Sequence, residues 1–364
     1  MRRKKGMKDH LCGKRSAAKY GDGKGLTALK PIDLRKISNF DQMLRAMKLT
    51  GFGGGKTGEA ADVLEAMVKD KDCFKVLTLA GAMTPAQMGI VICDHIDLFG
   101  FDCVISTGAL MLHGLIQGIG ATHFKAPYGV KDRALYHLGY NRIYTVLELE
   151  KNMDMAEMFL GKVFDGADQD QVWSSWKISQ AVGEYLAKNS PGDQRSPFKS
   201  AYLKKIPIFI PAEVDSEIGL DIAVRRYRQR LEGRKEFQYD AFLDLERYSD
   251  LIENAVKSGK RLGIFTIGGG VPRNFAQQVG PYLDIRGERL GEEYGAFARF
   301  HYAARISTAL VQDGGLSGCT YEEGVSWGKI VPPEEGGMTA EVFCDATIAW
   351  PLITKAVMER IGAE

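Results

Sequence analysis

The chain has 364 residues, enough for one large domain or two smaller ones with a sizeable core. With 45% hydrophobic residues, 26% charged residues and a net charge of +2, it reads as an ordinary globular protein, and the overall charge makes no case for nucleic acid. No apolar run reaches the roughly 18 residues of a membrane span, and the basic start is not followed by an apolar signal core.

Arg2, Arg3, Lys4 and Lys5 open a basic, glycine-bearing tail. Such a tail can touch RNA or a membrane, but it also reads as a solvated terminus, and residues 1–36 are expected to be poorly ordered. Residues 37–364 are expected to form one domain with a helical insertion near 150–205. The six cysteines show no paired spacing and several sit in apolar runs, so free thiols in a reducing cytoplasm are expected. The six histidines form no H-E-x-x-H pair or metal-ligand spacing, and no metal site is expected.

Helical patterning begins near Ser38, a candidate N-cap, and runs through Phe40, Met43, Leu44 and Met47. The run Gly53-Gly54-Gly55-Lys56-Thr57 invites a phosphate-loop reading. It fails, because Thr50 stands where that pattern needs a glycine and no strand precedes it. A second helix is expected over 57–69. An α/β rhythm follows: a strand over 74–80, a helix opened by Thr84-Pro85 with Thr84 as N-cap, a strand over 102–107 and a helix over 110–119. That alternation predicts a parallel sheet with crossover helices. Further on, a helix is expected over 172–188 and strands over 206–210 and 261–267. Another helix is expected over 245–258, then strand-like runs over 300–311 and 340–344 and a last helix over 347–360.

Small residues at the strand ends suit close approach of backbone amides to a pyrophosphate: Ala80 to Thr84, Thr107-Gly108-Ala109 and Gly268-Gly269-Gly270. None of these is the G-x-G-x-x-G fingerprint, and tight turns without a ligand remain an alternative. Asp215 lies in an acidic cluster after the 206–210 strand, and Asp345 ends the last strand, where it could accept from a ribose.

The most informative stretch is Glu323-Gly324-Val325-Ser326-Trp327-Gly328-Lys329. A lysine attacks an imine only when neutral. At an ordinary pKa of about 10.4, only about 1 in 2500 is neutral at pH 7. Burial beside an aromatic face lowers that pKa, and Gly328 removes bulk beside the amine. A surface lysine behind a core tryptophan is the competing reading.

This stretch resembles the active-site segment of the deoxyhypusine synthase family. Thr266 to Pro272, Ser307-Thr308-Ala309, Asp313-Gly314 and Cys344-Asp345-Ala346 agree with the same family in the same order, and the likeness runs from about residue 37 onward. The resemblance implies a doubly wound, mainly parallel Rossmann-like α/β sheet with helices on both faces. It also implies NAD as cofactor and a homotetramer with active sites between paired subunits. The implied activity is a transferase that carries a butylamine group from spermidine or a related polyamine, through an imine on Lys329, to an acceptor amine. The acceptor is a protein lysine in deoxyhypusine synthases and putrescine in the homospermidine synthases derived from them. An NAD-binding protein without transferase activity is the reading from another class.

Residue by residue, the resemblance makes Lys329 the covalent lysine, Trp327 the lining of the amine channel and Glu323 the acid that holds an ammonium. Asp221 and Gly314 fall on the amine side. Met83, Thr84, Thr107, Asp215, Gly268, Gly269, Thr308, Asp313, Asp345 and Ala346 fall at NAD contacts. His113 stands at the position of a family glutamate that contacts NAD. Three departures touch the chemistry. Asn274 replaces the family's catalytic histidine, and an amide cannot serve as a base near pH 7. Leu316 replaces an acid, and Leu220 replaces another, with Asp221 beside it. These departures point to an altered amine substrate or acceptor.

Overall fold

The computed structural model describes residues 23–168, 170–291 and 298–363. The basic start of the tail, up to residue 22, and Cys12 lie outside the described residues. Residues 23–39 contain one short helical turn, Leu34–Lys36, capped by Asp33.

Helix α1 (Phe40–Lys48) is capped by Asn39 and not by Ser38, as its side-chain oxygen accepts from Gln42 N at 2.9 Å. Gln42 returns the favour by accepting from Ser38 N at 2.8 Å, a reciprocal arrangement of the capping-box kind. Helix α2 (Phe52–Lys69) starts earlier than residue 57 and takes Gly53, Gly54 and Gly55 into its first turn. Its glycines serve packing: a Cβ at Gly58 would lie 2.5 Å from Leu44 O, so α1 and α2 cross nearly backbone to backbone. Tertiary contact here overrides the poor helix propensity of glycine.

Strand β1 (Cys73–Leu79), helix α3 (Gly89–Asp97), strand β2 (Cys103–Ser106) and helix α4 (Gly108–Gly118) follow the expected rhythm. The helix expected to open at Thr84 does not. Thr84 is buried in a turn, its hydroxyl donates to Leu110 O at 2.6 Å, and α3 begins at Gly89. Strands β3 (Phe124–Lys125), β4 (Tyr140–Ile143) and β5 (Val146–Leu149) form a small antiparallel sheet in the order β3-β5-β4, with α5 (Asp132–His137) inside it.

Helix α6 (Glu150–Asp165) comes next. The helix expected over 172–188 divides into β6 (Val172–Trp173) and α7 (Ser175–Asn189). Helix α8 (Pro197–Lys204), β7 (Ile208–Phe209), α9 (Glu217–Leu231), β8 (Gln238–Tyr239) and α10 (Phe242–Lys257) follow. Strand β8 pairs with β6. The chain closes with β9 (Arg261–Ile267), α11 (Gly270–Leu290), β10 (Phe300–Ser307), α12 (Tyr321–Ser326), β11 (Met338–Phe343) and α13 (Ala346–Ile361).

The central sheet has the order β11-β10-β9-β1-β2-β7 and every pairing in it is parallel. Counted along the chain, these six strands lie side by side as 6-5-4-1-2-3, the doubly wound order. Both faces are covered, as a parallel sheet requires. Leu77 and Leu79 of β1 pack into a core with Trp350, Leu64 and Phe265, while Phe74 and Val76 face Tyr248, Phe209 and Phe300. The winding reverses between β1 and β9, which run in register from Cys73 opposite Arg261 to Leu79 opposite Ile267. Their carboxyl ends therefore flank the topological switch point, where open α/β sheets place ligands.

Candidate active site

Two glycine turns line the switch point. Gly81 and Gly268 have φ of +84° and +80°, conformations that suit glycine. A Cβ at Gly269 would lie 2.8 Å from Ser317 Cα, so the segment around Ser317 is laid directly on the turn. Helix α11 starts there with free backbone amides at its first turn, an arrangement suited to an anionic group.

The segment from Val311 to Thr320 is held by two buried arginines. Arg273 of α11 donates to Leu316 O at 3.0 Å and Cys319 O at 2.8 Å. Arg305 of β10 donates to Ser317 O at 2.8 Å and Cys319 O at 2.7 Å and pairs with Glu341 of β11. Glu341 also accepts from Tyr321 N, at the head of α12. Neither arginine was singled out by its sequence context, because each acts on backbone carbonyls and belongs to no short motif.

These elements enclose a cavity of about 450 Å³ lined by Asn274, Gly314, Leu316, Glu323, Trp327 and Lys329, among others. Residues far apart in the chain thus line one cavity. Lys329 leaves α12 through Gly328, whose φ is +66°. Its backbone is fixed by Lys329 N to Gly324 O at 3.0 Å and by Phe300 N to Lys329 O at 2.9 Å. Its Nζ donates to Asn274 Oδ1 at 3.4 Å and stands 5.7 Å from the centre of the Trp327 ring. Burial lowers the lysine's pKa. The Arg273 charge acts the same way, and Cys319 and Glu323 oppose it. Trp327 is 61% exposed in the single chain, so it forms a rim of the cavity and not a buried wall.

The residues expected at the cofactor gather around the switch point at the ends of parallel strands. Met83 and Thr84 follow β1, Thr107 precedes α4, Gly268 and Gly269 follow β9, and Thr308 follows β10. Asp313 is exposed in the arginine-held segment. Asp345 caps α13, accepting from Thr347 N at 2.7 Å, and Ala346 is buried behind it. Thr84 is fully buried and already bonded to α4, so its role in the single chain is to hold the turn after β1 against that helix.

Two acids stand apart from the lysine cavity. Asp215 is exposed in the turn before α9. Asp221 lies on α9 and does not line the cavity. Burial pushes the Asp221 carboxyl up to about 7, helped by Glu217 and Glu157, and its Oδ2 has no partner. Glu213, at the carboxyl end of β7, was noted only as part of an acidic run. It is buried, both its oxygens are unpartnered, and burial together with Asp244 pushes it up to about 8.

A doubly wound parallel sheet with a lysine-bearing pocket against the helix that follows β9 defines a Rossmann-like α/β protein. The family model "Deoxyhypusine synthase" matches residues 42–357. A Methanosarcina acetivorans protein named "Probable deoxyhypusine synthase 2" is 32% identical over 91% of this chain and 89% of its own length. An Archaeoglobus fulgidus protein of the same name is 34% identical over 86% of this chain and 96% of its own. A solved structure from Entamoeba histolytica, named as a "putative deoxyhypusine synthase", shares the fold with a TM-score of 0.59 at 15% identity, covering 90% of this chain and 96% of that one. The chain belongs to the deoxyhypusine synthase family, and that membership makes it a deoxyhypusine synthase-like transferase.

Proposed function

We propose that this protein is an NAD-dependent transferase that moves an aminobutyl group from spermidine or a related polyamine to an acceptor amine through an imine on Lys329. The observation that carries this reading is the placement of a lysine with a lowered pKa inside a cavity that adjoins the switch-point crevice. What supports a dinucleotide in the crevice is the all-glycine turn Gly268 to Gly270, against which Ser317 packs, and the helix N-terminus that follows it. Gly268, Gly269, Met83, Thr107, Thr308, Asp313 and Asp345 would hold the cofactor, with Asp345 and Asp313 available to ribose hydroxyls. When bound, NAD would supply the hydride acceptor for oxidation of the donor amine and the hydride for the final reduction.

Lys329 has the nucleophile's part. Its neutral Nζ attacks the imine carbon of the oxidised donor, and diaminopropane leaves as the amine whose bond to that carbon breaks. The acceptor amine then attacks the lysine-bound imine, and Lys329 Nζ departs. Asn274 accepts a hydrogen bond from Nζ and orients it, but it takes no proton. Glu323 and the Trp327 face receive the ammonium end of the chain.

We further propose a homotetramer in which a partner subunit covers the exposed Trp327 and brings Asp221 to the lysine cavity that its own chain does not reach. The free, largely buried thiols Cys73, Cys93 and Cys103 support a cytoplasmic location. Among the described residues, no helix is long and apolar enough to cross a membrane.

The deciding experiment incubates the protein with NAD and spermidine, reduces with borohydride and maps the adduct by peptide mass spectrometry. A butylamine increment on Lys329, absent without NAD, is expected. Turnover with no adduct at Lys329 would falsify the mechanism. Adding putrescine or a lysine-bearing protein acceptor in separate arms identifies the acceptor from the products.

A further inference from the structure

Three side chains kept apart in the sequence converge beside the turn that follows β1, where Gln87 meets His123. His113 lies in α4, His123 ten residues further on, just before β3, and Glu148 in β5. His113, His123 and Glu148 are buried, the last completely. His113 Nδ1 lies 2.9 Å from His123 Nε2 and 3.1 Å from Glu148 Oε2, and His123 Nε2 lies 2.5 Å from that same oxygen.

With Glu148 ionised, hydrogen bonds alone cannot satisfy a closed triangle of this kind. An imidazole nitrogen offers one in-plane direction, either an N–H or a lone pair, and a carboxylate oxygen only accepts. If both nitrogens donate to Glu148, two N–H groups face each other at 2.9 Å. If His123 donates to His113, the His113 nitrogen has no proton left for the carboxylate. One edge is repulsive in either case. A cation at the centre makes all three edges favourable.

We propose that His113 Nδ1, His123 Nε2 and Glu148 Oε2 bind one divalent transition metal, zinc above the others, with a fourth position left for water. Two imidazoles and one carboxylate are a zinc donor set, and their mixed nitrogen and oxygen character disfavours calcium and magnesium. Ligand atoms about 2.0–2.1 Å from a tetrahedral ion lie roughly 3.3 Å apart, so the triangle opens by only about half an ångström on binding.

The surroundings have the form of an outer ligand shell. Glu148 Oε1 accepts from Asn152 Nδ2 at 2.5 Å and from Leu149 N at 2.9 Å, which aims Oε2 at the two rings. Asn152 is itself held by Thr122 O at 3.1 Å. Gln87 Nε2 lies 3.3 Å from His123 Nδ1; with metal on Nε2, Nδ1 carries the proton and the Gln87 amide turns over to present its oxygen.

The site explains how the small antiparallel sheet is attached. Across residues 124–149 only Leu135, Leu147 and Glu148 are buried, too few to anchor it by apolar contact. The metal clasps β5 and the lead-in to β3 onto α4, and Asn152 extends the clasp to α6. The inference stands independently of the transferase reading.

The test uses the full chain, made with a histidine-free tag and purified without chelator, and measures metal by plasma mass spectrometry. About one zinc per chain is expected, with the content falling at least tenfold in Glu148→Gln and in His123→Ala. Because either variant could misfold, wild-type protein stripped with dipicolinate and loaded with cobalt provides the second reading. Intense visible absorption from a four-coordinate ion is expected, together with slower proteolytic cleavage within 124–149 than in the stripped protein. Wild-type protein that holds no metal after dialysis against micromolar zinc and gives no cobalt band overturns the proposal. So does retention of full metal content in folded Glu148→Gln and His123→Ala.

Discussion

Lys329 sits where burial disfavours its charge, with Arg273 adding to that effect and Cys319 and Glu323 working against it. The pH consequence follows from the sign. Below the lowered native pKa the lysine is protonated in both states, and the folded state bears the cost of burying the charge. From there up to about 10.4 the unfolded chain binds the proton that the folded chain has lost, so stability rises with pH across that window. Lys329→Met is therefore expected to melt higher than the parent at pH 7, with the gain shrinking toward pH 10. Thermal melts at several pH values check this, and a variant that melts lower at pH 7 contradicts it. Lys329→Arg should keep NAD binding and lose the borohydride-trapped adduct, since a guanidinium stays protonated at any working pH. At Asn274 the hydrogen bond to Nζ is the feature to remove. Asn274→Ala is expected to slow adduct formation about tenfold, the equivalent of one ordinary hydrogen bond at the strong end of its range. Single-turnover rates decide it, and an unchanged rate would show that Asn274 does not orient the amine.

At the scale of elements, the site depends on how the 311–320 segment is pressed onto the turn after β9. Arg305 spans β10, that segment and β11 through Ser317 O, Cys319 O and Glu341. Replacing it with methionine leaves Glu341 and two carbonyls without their partner, and a cost of about 3 kcal/mol is expected in denaturant melts. Gly269→Ala tests the same contact more gently, because its Cβ meets the Ser317 backbone and pushes the segment away. It should weaken NAD binding, read by calorimetry, while leaving the bulk of the fold intact. Much of this architecture is legible in the sequence. Strand β9 occupies the expected residues, and β1 and β2 lie within one residue of theirs, because their long apolar runs between turn signals leave little choice. The failures have physical causes. The glycine-rich start of α2 reads as loop until α1 is packed against it. Thr84 looks like a cap but is taken up by Leu110 O. The β3-β5-β4 sheet has short, half-exposed strands with no strong alternation. The lysine cavity was legible through a motif, while Arg273, Arg305 and the His113–His123–Glu148 cluster were not. Their partners are far off in the chain or are backbone atoms, and no local spacing encodes either.

At the scale of the molecule, the two ends of the described domain are locked by one side chain. The side chain of Arg360, near the end of α13, is shielded from solvent and reaches Asp41 of α1 at 2.6 Å, Asp62 of α2 at 2.8 Å and Glu65 at 3.0 Å. Glu359 adds a bond from Asp41 N at 2.8 Å. The first and last helices of the fold thereby close over α2, which lies against β10 and β11 of the central sheet. Removing the guanidinium leaves Asp41, Asp62 and Glu65 without their shared inner cation, each keeping only its outer partner, Arg45, Lys48 or Lys69. These acids are partly exposed, which softens their repulsion, so Arg360→Met is expected to cost about 3 kcal/mol. The acid limb of the stability curve tests the cause. Burial raises the Asp41 pKa, but hydrogen bonds from Arg45 and Arg360 outweigh that and hold it below 3.8. A carboxyl lowered in the folded state stabilises the fold above its unfolded pKa, and that contribution is lost as pH falls through the native value. The wild-type protein should therefore lose this stability only below about pH 4. Arg360→Met should start from a lower plateau and lose less between pH 4 and pH 2, because Asp41 then titrates closer to its ordinary value. Urea midpoints measured across that range separate the two curves, and parallel acid limbs would mean that Arg360 acts by packing and not by charge.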